Sequence, residues 1–76
     1  MQRYRVFEEV LYESQTGKPY RSFGVAAGGL RFSDLSLEER PVREFVERLN
    51  AEELEIVHLQ GAVEDFMESL EGKDKA

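Results

Sequence analysis

The spacing of apolar residues between positions 41 and 70 constrains the fold of this chain more than any other feature. Two apolar stripes recur there at intervals of three and four residues, which is typical of one face of a 3.6-residue helix. They comprise Val42, Phe45, Val46 and Leu49, and then Ile56, Leu59, Val63, Phe66, Met67 and Leu70. Carboxylates fill the gaps between them. The pattern predicts two amphipathic helices over about 41–50 and 55–71, followed by a tail over 72–76.

The start of the first helix is set by two competing signals. Ser36 and Glu39 have the spacing of a capping box. Pro41 would then lie past the first turn, where its missing amide is unfavourable, whereas proline is favoured at the first helical position. We therefore predict a turn over 36–40 and a helix that begins at Pro41. In the second helix, Gly61 costs about 1 kcal/mol relative to alanine, which indicates close packing against a neighbour or simple tolerance.

The first half of the chain predicts three strands, over about 3–13, 20–27 and 30–35. These segments are rich in aromatic and β-branched residues, and a turn containing Gly17 and Pro19 separates the first two. Two glycines between apolar runs are a strong hairpin signal. If Gly28 and Gly29 form the loop, the strand pairs are Ala27 with Leu30, Val25 with Phe32, and Phe23 with Asp34.

Together these elements predict one α+β domain over residues 1–76. Its architecture is a three-stranded antiparallel meander followed by two helices packed on one face of the sheet, in the order β-β-β-α-α. The acidic residues of both helices should lie outside. The expected core is Phe23, Val25, Leu30, Phe32, Phe45, Val46, Leu49, Leu59, Val63 and Phe66.

Composition narrows the classes of function. The chain has 76 residues and no cysteine, so disulfides and thiol chemistry are excluded. Five basic and four acidic residues in 1–35 give a net charge of +1, whereas five basic and twelve acidic residues in 36–76 give −7. This balance disfavours nucleic acid and anionic membranes as partners. No apolar run is long enough to span a membrane, and no export signal is present, so a cytoplasmic location is expected.

Few residues point to chemistry. Glu55 and His58 have the E-x-x-H spacing found in di-iron helical bundles. Such sites need a second motif and further carboxylates, and this chain has one histidine. A metal-dependent enzyme that uses Glu55 and His58 is therefore the least favoured alternative. We predict no catalytic, cofactor-binding or metal-binding residue, and we predict that the chain is not an enzyme.

The first strand carries more apolar residues than one buried face requires. Apolar residues occupy both parities of the strand, and only one parity can meet the helices. The other lies beside the small residues Ser22, Gly24 and Ala26, which would leave that sheet face open. One explanation is a β-bulge near Glu8 and Glu9, or cover by the chain's own tail. The other is an interface, whose candidate residues are Tyr4, Val6, Phe7, Val10, Leu11, Tyr12 and Tyr20.

The predicted function is accordingly a small protein-interaction or regulatory domain. Self-association is favoured because small oligomers are mostly symmetric dimers, and the outward face of the sheet would form the homodimer interface. The alternative is a monomeric adaptor whose acidic helices hold a basic partner.

The amino-acid sequence of the second helix also resembles that of a known family. Residues 57–66 (VHLQGAVEDF), following 46–50 (VERLN), resemble a small bacterial family of unknown function. Its members open with a Tyr-Arg-Val type of strand and close with an HL–V–EDF helix. This chain departs from them at Glu55-Ile56, where relatives tend to have Ser-Pro, so a different start of the second helix is expected. The resemblance implies a cytoplasmic protein and brings no known activity, cofactor or catalytic residue.

Overall fold

The computed structural model describes residues 3–74, and side chains for residues 3–70. Three antiparallel strands form one sheet in the order β1-β2-β3, and two helices follow, so the predicted β-β-β-α-α fold is confirmed. Within the described residues, neither helix has both the length and the apolar character that a membrane crossing requires. The elements are β1 (Arg5–Tyr12), β2 (Pro19–Ala27), β3 (Leu30–Ser36), α1 (Glu39–Ala51), a 3₁₀ turn (Ile56–His58) and α2 (Leu59–Asp74).

The central strand organises the core. Residues 22–27 of β2 are buried on both sides of the sheet. On one side they meet the helices, whose apolar stripes join through Phe45 of α1 and Phe66 of α2, with ring centroids 4.5 Å apart and nearly parallel planes. Of the ten expected core residues, eight are buried and Phe32 is half-buried against them. The core also contains residues outside that list, namely Tyr4, Ala27, Leu35 and Val42.

The expectation for Leu30 was wrong, because this side chain is 44% exposed. Leu30 is the first residue of an outer strand and directly follows the hairpin loop, so neighbours surround it on fewer sides. The loop itself is the predicted pair, Gly28 and Gly29. A positive φ of 58° at Gly28 alone is typical of a type II′ turn.

The register of the sheet differs from the prediction at one place. Beyond the confirmed pairs Ala27–Leu30 and Val25–Phe32, Phe23 pairs with Ser36 and not with Asp34. Two additional β3 residues are therefore accommodated opposite Gly24, and Asp34 among them has a φ of 58°. The bulge near Glu8 and Glu9, one of the explanations offered for the apolar residues of β1, is absent, since β1 pairs with β2 without a break over Arg5–Tyr12.

Both helices depart from their predicted limits. α1 begins at Glu39, so Pro41 lies in the first turn, where an amide has no intrahelical acceptor to lose. α2 begins at Leu59 after the 3₁₀ turn and continues through Gly72 to Asp74, so the predicted stop at Gly72 was wrong. Residues 75 and 76 of the expected tail lie outside the described residues. Gly61 has open space around it, so tolerance explains this glycine.

Candidate functional site at the free edge of the sheet

The helix-facing parity of β1 is the one that contains Tyr4 and Val6. Tyr4 is 2% exposed and belongs to the core, and Val6 packs against that core half-buried. Tyr4 is thereby removed from the candidate interface. Val10 and Tyr12 share this parity but are 56% and 68% exposed. The end of the β1–β2 hairpin that holds them is therefore left uncovered by the helices.

The opposite face of the sheet is covered by the chain's own side chains. Phe7 lies over Gly24, so that a Cβ on Gly24 would approach two Phe7 ring atoms to 2.9 Å. The Arg31 guanidinium is 4.5 Å from the Phe7 ring centroid, a cation–π contact. Ser22, Gly24 and Ala26 are all buried. Gly24, one of the small residues that predicted an open face, instead makes room for Phe7.

A polar network on the same face joins all three strands. The Asp34 carboxylate accepts hydrogen bonds from Ser22 Oγ at 2.7 Å and from the Tyr20 hydroxyl at 3.2 Å. The Asp34 amide donates to the Glu9 carboxylate at 3.2 Å. The pKa of the half-buried Tyr20 phenol is raised above 10.0, first by desolvation and then by the nearby Asp34 carboxylate. These bonds hold the irregular part of β3 against β2.

Two local bonds show which way the backbone groups of β1 point. The Glu13 amide donates to the Lys18 carbonyl at 2.9 Å, and the Glu13 carbonyl accepts from Gly17, so both groups of Glu13 face β2. Because these directions alternate along an antiparallel strand, even-numbered residues of β1 point away from β2. Tyr4 agrees, since its N–H donates to Asn50 Oδ1 and its C=O accepts from Asn50 Nδ2, each at 2.9 Å.

Four residues therefore present their N–H and C=O groups outward along the sheet. We call Val6, Glu8, Val10 and Tyr12 the free β1 edge. Among the described residues no further strand lies beside it. Its near end is closed at Tyr4 by the Asn50 side chain. At its far end, an open depression of about 700 Å³ is lined in part by Tyr12 of β1 and by Leu37, which is 67% exposed.

The remaining predicted interface residues lie beside this edge. Phe7, Leu11 and Tyr20 are half-buried on the face away from the helices. Glu8 belongs to the free β1 edge but was not among the predicted residues, because those were chosen for apolar side chains. Glu8 contributes its backbone groups to the edge, and its side chain is paired with Arg21 at 3.1 Å. An apolar-residue criterion therefore selects three of the four residues of the free β1 edge and leaves out Glu8.

The residues considered for chemistry are spread over exposed surface. Glu55 and His58 are both exposed, and the His58 amide donates to the Glu55 carbonyl within the 3₁₀ turn. Within the part of the chain that the structure describes, no three histidine, aspartate or glutamate side chains converge on a metal-sized site. On α1, the exposed carboxylates of Glu39 and Glu44 pair with arginines of the same helix.

Comparisons of the chain with protein-family models, with curated proteins and with solved structures give no match. The resemblance to a bacterial family therefore stays a prediction.

Proposed function

We propose that this chain is a non-catalytic protein-interaction domain that pairs its free β1 edge with an extended segment of a protein partner. The observation that carries the proposal is the row of outward backbone groups at Val6, Glu8, Val10 and Tyr12. When a segment adds to a sheet edge, main-chain hydrogen bonds supply the affinity, and alternate side chains supply the specificity.

The composition of β1 supports the same conclusion. Sheet edges are usually protected by charged side chains, lysine above all, or by proline, bulges or a covering segment, because a regular free edge pairs with other chains. β1 contains no proline, glycine or lysine, and Glu8, the charged residue of the free β1 edge, has its carboxylate paired with Arg21 at 3.1 Å. Its ladder with β2 is unbroken. Val10 and Tyr12 also provide exposed apolar surface directly beside the edge, which an added strand would bury.

The test removes one outward amide and leaves the internal ladder intact. In Val10→Pro the lost N–H is one that points away from β2, a position that proline tolerates in an edge strand. Val10→Thr is the matched control, because it keeps the amide and the β-branched shape. The probe is a phage-displayed library of random peptides selected on the wild-type protein. We expect selected peptides to bind Val10→Thr and to lose binding to Val10→Pro.

The binding readout is the set of backbone amide shifts in NMR spectra. Shifts concentrated at Val6, Glu8 and Tyr12 would support the proposal, provided that circular dichroism shows Val10→Pro to be folded. The proposal is wrong if the wild type sediments as a monomer and the library yields no binder to it, or if the selected peptides bind folded Val10→Pro as tightly as the wild type.

A further inference from the structure

We infer that the segment paired with the free β1 edge is β1 of a second copy of this chain, in one antiparallel register about a two-fold axis. The inference rests on the proposed function and specifies its partner. Three observations support it: the outward backbone groups of β1, the opposite charges at the two ends of this strand, and the closure of the edge at Tyr4 by Asn50.

Backbone matching selects the register. In a two-fold antiparallel pair, the numbers of two opposite residues add to a constant, and that sum is even here because the outward residues are all even-numbered. A sum of 18 pairs every residue of the free β1 edge: Val6 lies opposite Tyr12 of the second copy, and Glu8 lies opposite Val10. Each pairing occurs twice, once on each side of the axis.

The neighbouring registers leave outward groups unmatched. With a sum of 16, Tyr12 would face Tyr4 of the second copy, whose N–H and C=O are already bound by Asn50. With a sum of 20, Val6 would face Ser14 of the second copy, which lies in the turn beyond β1. With a sum of 18, Val6 is the last residue of the edge to be paired, and Tyr4, which is bound by Asn50, stays outside the pairing.

Side-chain charge supports the same register. Arg5 of one copy lies opposite Glu13 of the other, at both ends of the paired segment. Within one chain these two residues stand at opposite ends of the strand, roughly 27 Å apart, and among the described residues neither forms a salt bridge. Opposite charges directly across an antiparallel pair are stabilising. The second copy brings a counter-charge to each, in addition to Lys18, which lies across the hairpin from Glu13 without a salt bridge.

Apolar contacts accompany these charges. Phe7 lies opposite Leu11 of the second copy on the face away from the helices, and Val6 lies opposite Tyr12 on the helix-facing side. Glu9 lies opposite Glu9 of the second copy at the two-fold axis, where two negative charges would repel each other. Its carboxylate, however, is directed across β2 to the Asp34 amide and so away from the axis.

Assembly ends at two copies. The resulting six-stranded sheet would have only β3 at its outer edges, and β3 is broken opposite Gly24 by its additional residues. Such irregular edges resist further pairing.

A cysteine scan tests the register, because the chain has no native cysteine. Single cysteines replace Phe7, Glu8, Glu9 or Val10, and each variant is oxidised and run on a non-reducing gel. In the proposed register the two Cα atoms of Glu9→Cys are about 4.5 Å apart, within disulfide range. Those of Glu8→Cys and Val10→Cys are about 8 Å apart, which is beyond it. We expect at least tenfold more crosslinking for Glu9→Cys than for the other three variants.

Charge reversal provides an independent readout that does not depend on disulfide geometry. Wild-type protein should sediment at tens of micromolar with twice the 8.8 kDa chain mass. Arg5→Glu and Glu13→Arg should each weaken the dimer about tenfold, since each creates two like-charge pairs. The double variant should recover to within about threefold. Maximal crosslinking at another position, or no recovery in the double variant, would overturn the register.

Failure of this inference is distinct from failure of the proposed function. A wild-type chain that sediments as a monomer overturns the second copy as partner. If selected peptides still bind that monomer and fail to bind Val10→Pro, the edge-pairing function stands with a different partner.

Discussion

The two outer strands of the sheet, β1 and β3, differ in the regularity of their backbones. β1 is regular from Arg5 to Tyr12, and its ladder with β2 has no interruption. β3 accommodates two additional residues opposite Gly24, turns through a positive φ at Asp34, and ties that residue to Ser22 by a 2.7 Å hydrogen bond. One edge can therefore continue the sheet, while the other is shaped against doing so.

The proposed pairing through β1 would let this sheet associate without polymerising. A domain with two regular edges would pair at both and form an open chain of copies. A domain with one regular and one irregular edge can pair once and then stop. In this chain the regular edge belongs to β1 and the irregular edge belongs to β3.

Gly24→Ala should have the largest effect, since Gly24 of the central strand is packed between Phe7 of β1 and Phe32 of β3. Its added Cβ would overlap the Phe32 backbone oxygen of β3 and also press on the Phe7 ring of β1. Backbone on one side cannot yield as a side chain can, so we expect a loss of more than about 3 kcal/mol. That is comparable to the whole stability of a domain of this size. Urea denaturation followed by circular dichroism measures it.

Gly29→Ala is the matched control, because no atom lies within 4 Å of its added Cβ and its φ is not positive. Its denaturation midpoint should stay close to that of the wild type. An unchanged midpoint in Gly24→Ala would contradict the tight packing of Phe7 and Phe32 around Gly24.

Asn50→Ala should have the next largest effect and would lengthen the free β1 edge by one residue. It removes both hydrogen bonds to Tyr4, in a partly buried position. We expect unfolding to become easier by about 2–3 kcal/mol, and we expect the Tyr4 amide to lose its protection in hydrogen exchange. Asn50→Asp is the control, since it keeps the acceptor for the Tyr4 N–H and loses the donor to the Tyr4 C=O. A Tyr4 amide that stays protected in Asn50→Ala would show that another group closes the edge.

Asp34→Ala should have the smallest effect of the three and tests the irregular edge. Alanine at a φ of 58° is strained, and the bonds from Ser22 and Tyr20 are lost. We expect destabilisation of about 1–2 kcal/mol. The control variant Asp34→Asn should lose less, because asparagine tolerates the left-handed conformation and keeps an acceptor oxygen.

A spectrophotometric titration follows the same change at Tyr20. The Asp34 carboxylate is one cause of the raised phenol pKa, and desolvation is the larger cause. The pKa should therefore fall toward 10.0 in Asp34→Ala without returning to it fully. A phenol pKa that does not move would show that the Tyr20–Asp34 contact is absent in solution.

Local sequence patterns determined the elements of this protein. The apolar spacing of 3.6 residues located both helices, and the Gly28-Gly29 pair located the hairpin and its first two strand pairs. These features could be predicted because each depends on residues within a few positions of one another. The apolar residues at both parities of β1 also indicated that this strand has more apolar surface than one buried face requires.

Which of those residues form the free β1 edge depends on contacts between distant parts of the chain. Alternation could not orient β1, since both parities are apolar, and it could not separate buried Tyr4 from exposed Tyr12 on the same face. That separation arises because the helices cover one end of the sheet and leave the other open. The closure of the edge by Asn50 joins residues 46 positions apart, and the irregularity at Asp34 lies opposite Gly24 of the neighbouring strand. Contacts between such distant positions leave no local pattern, so the free β1 edge became visible only when the chain was folded.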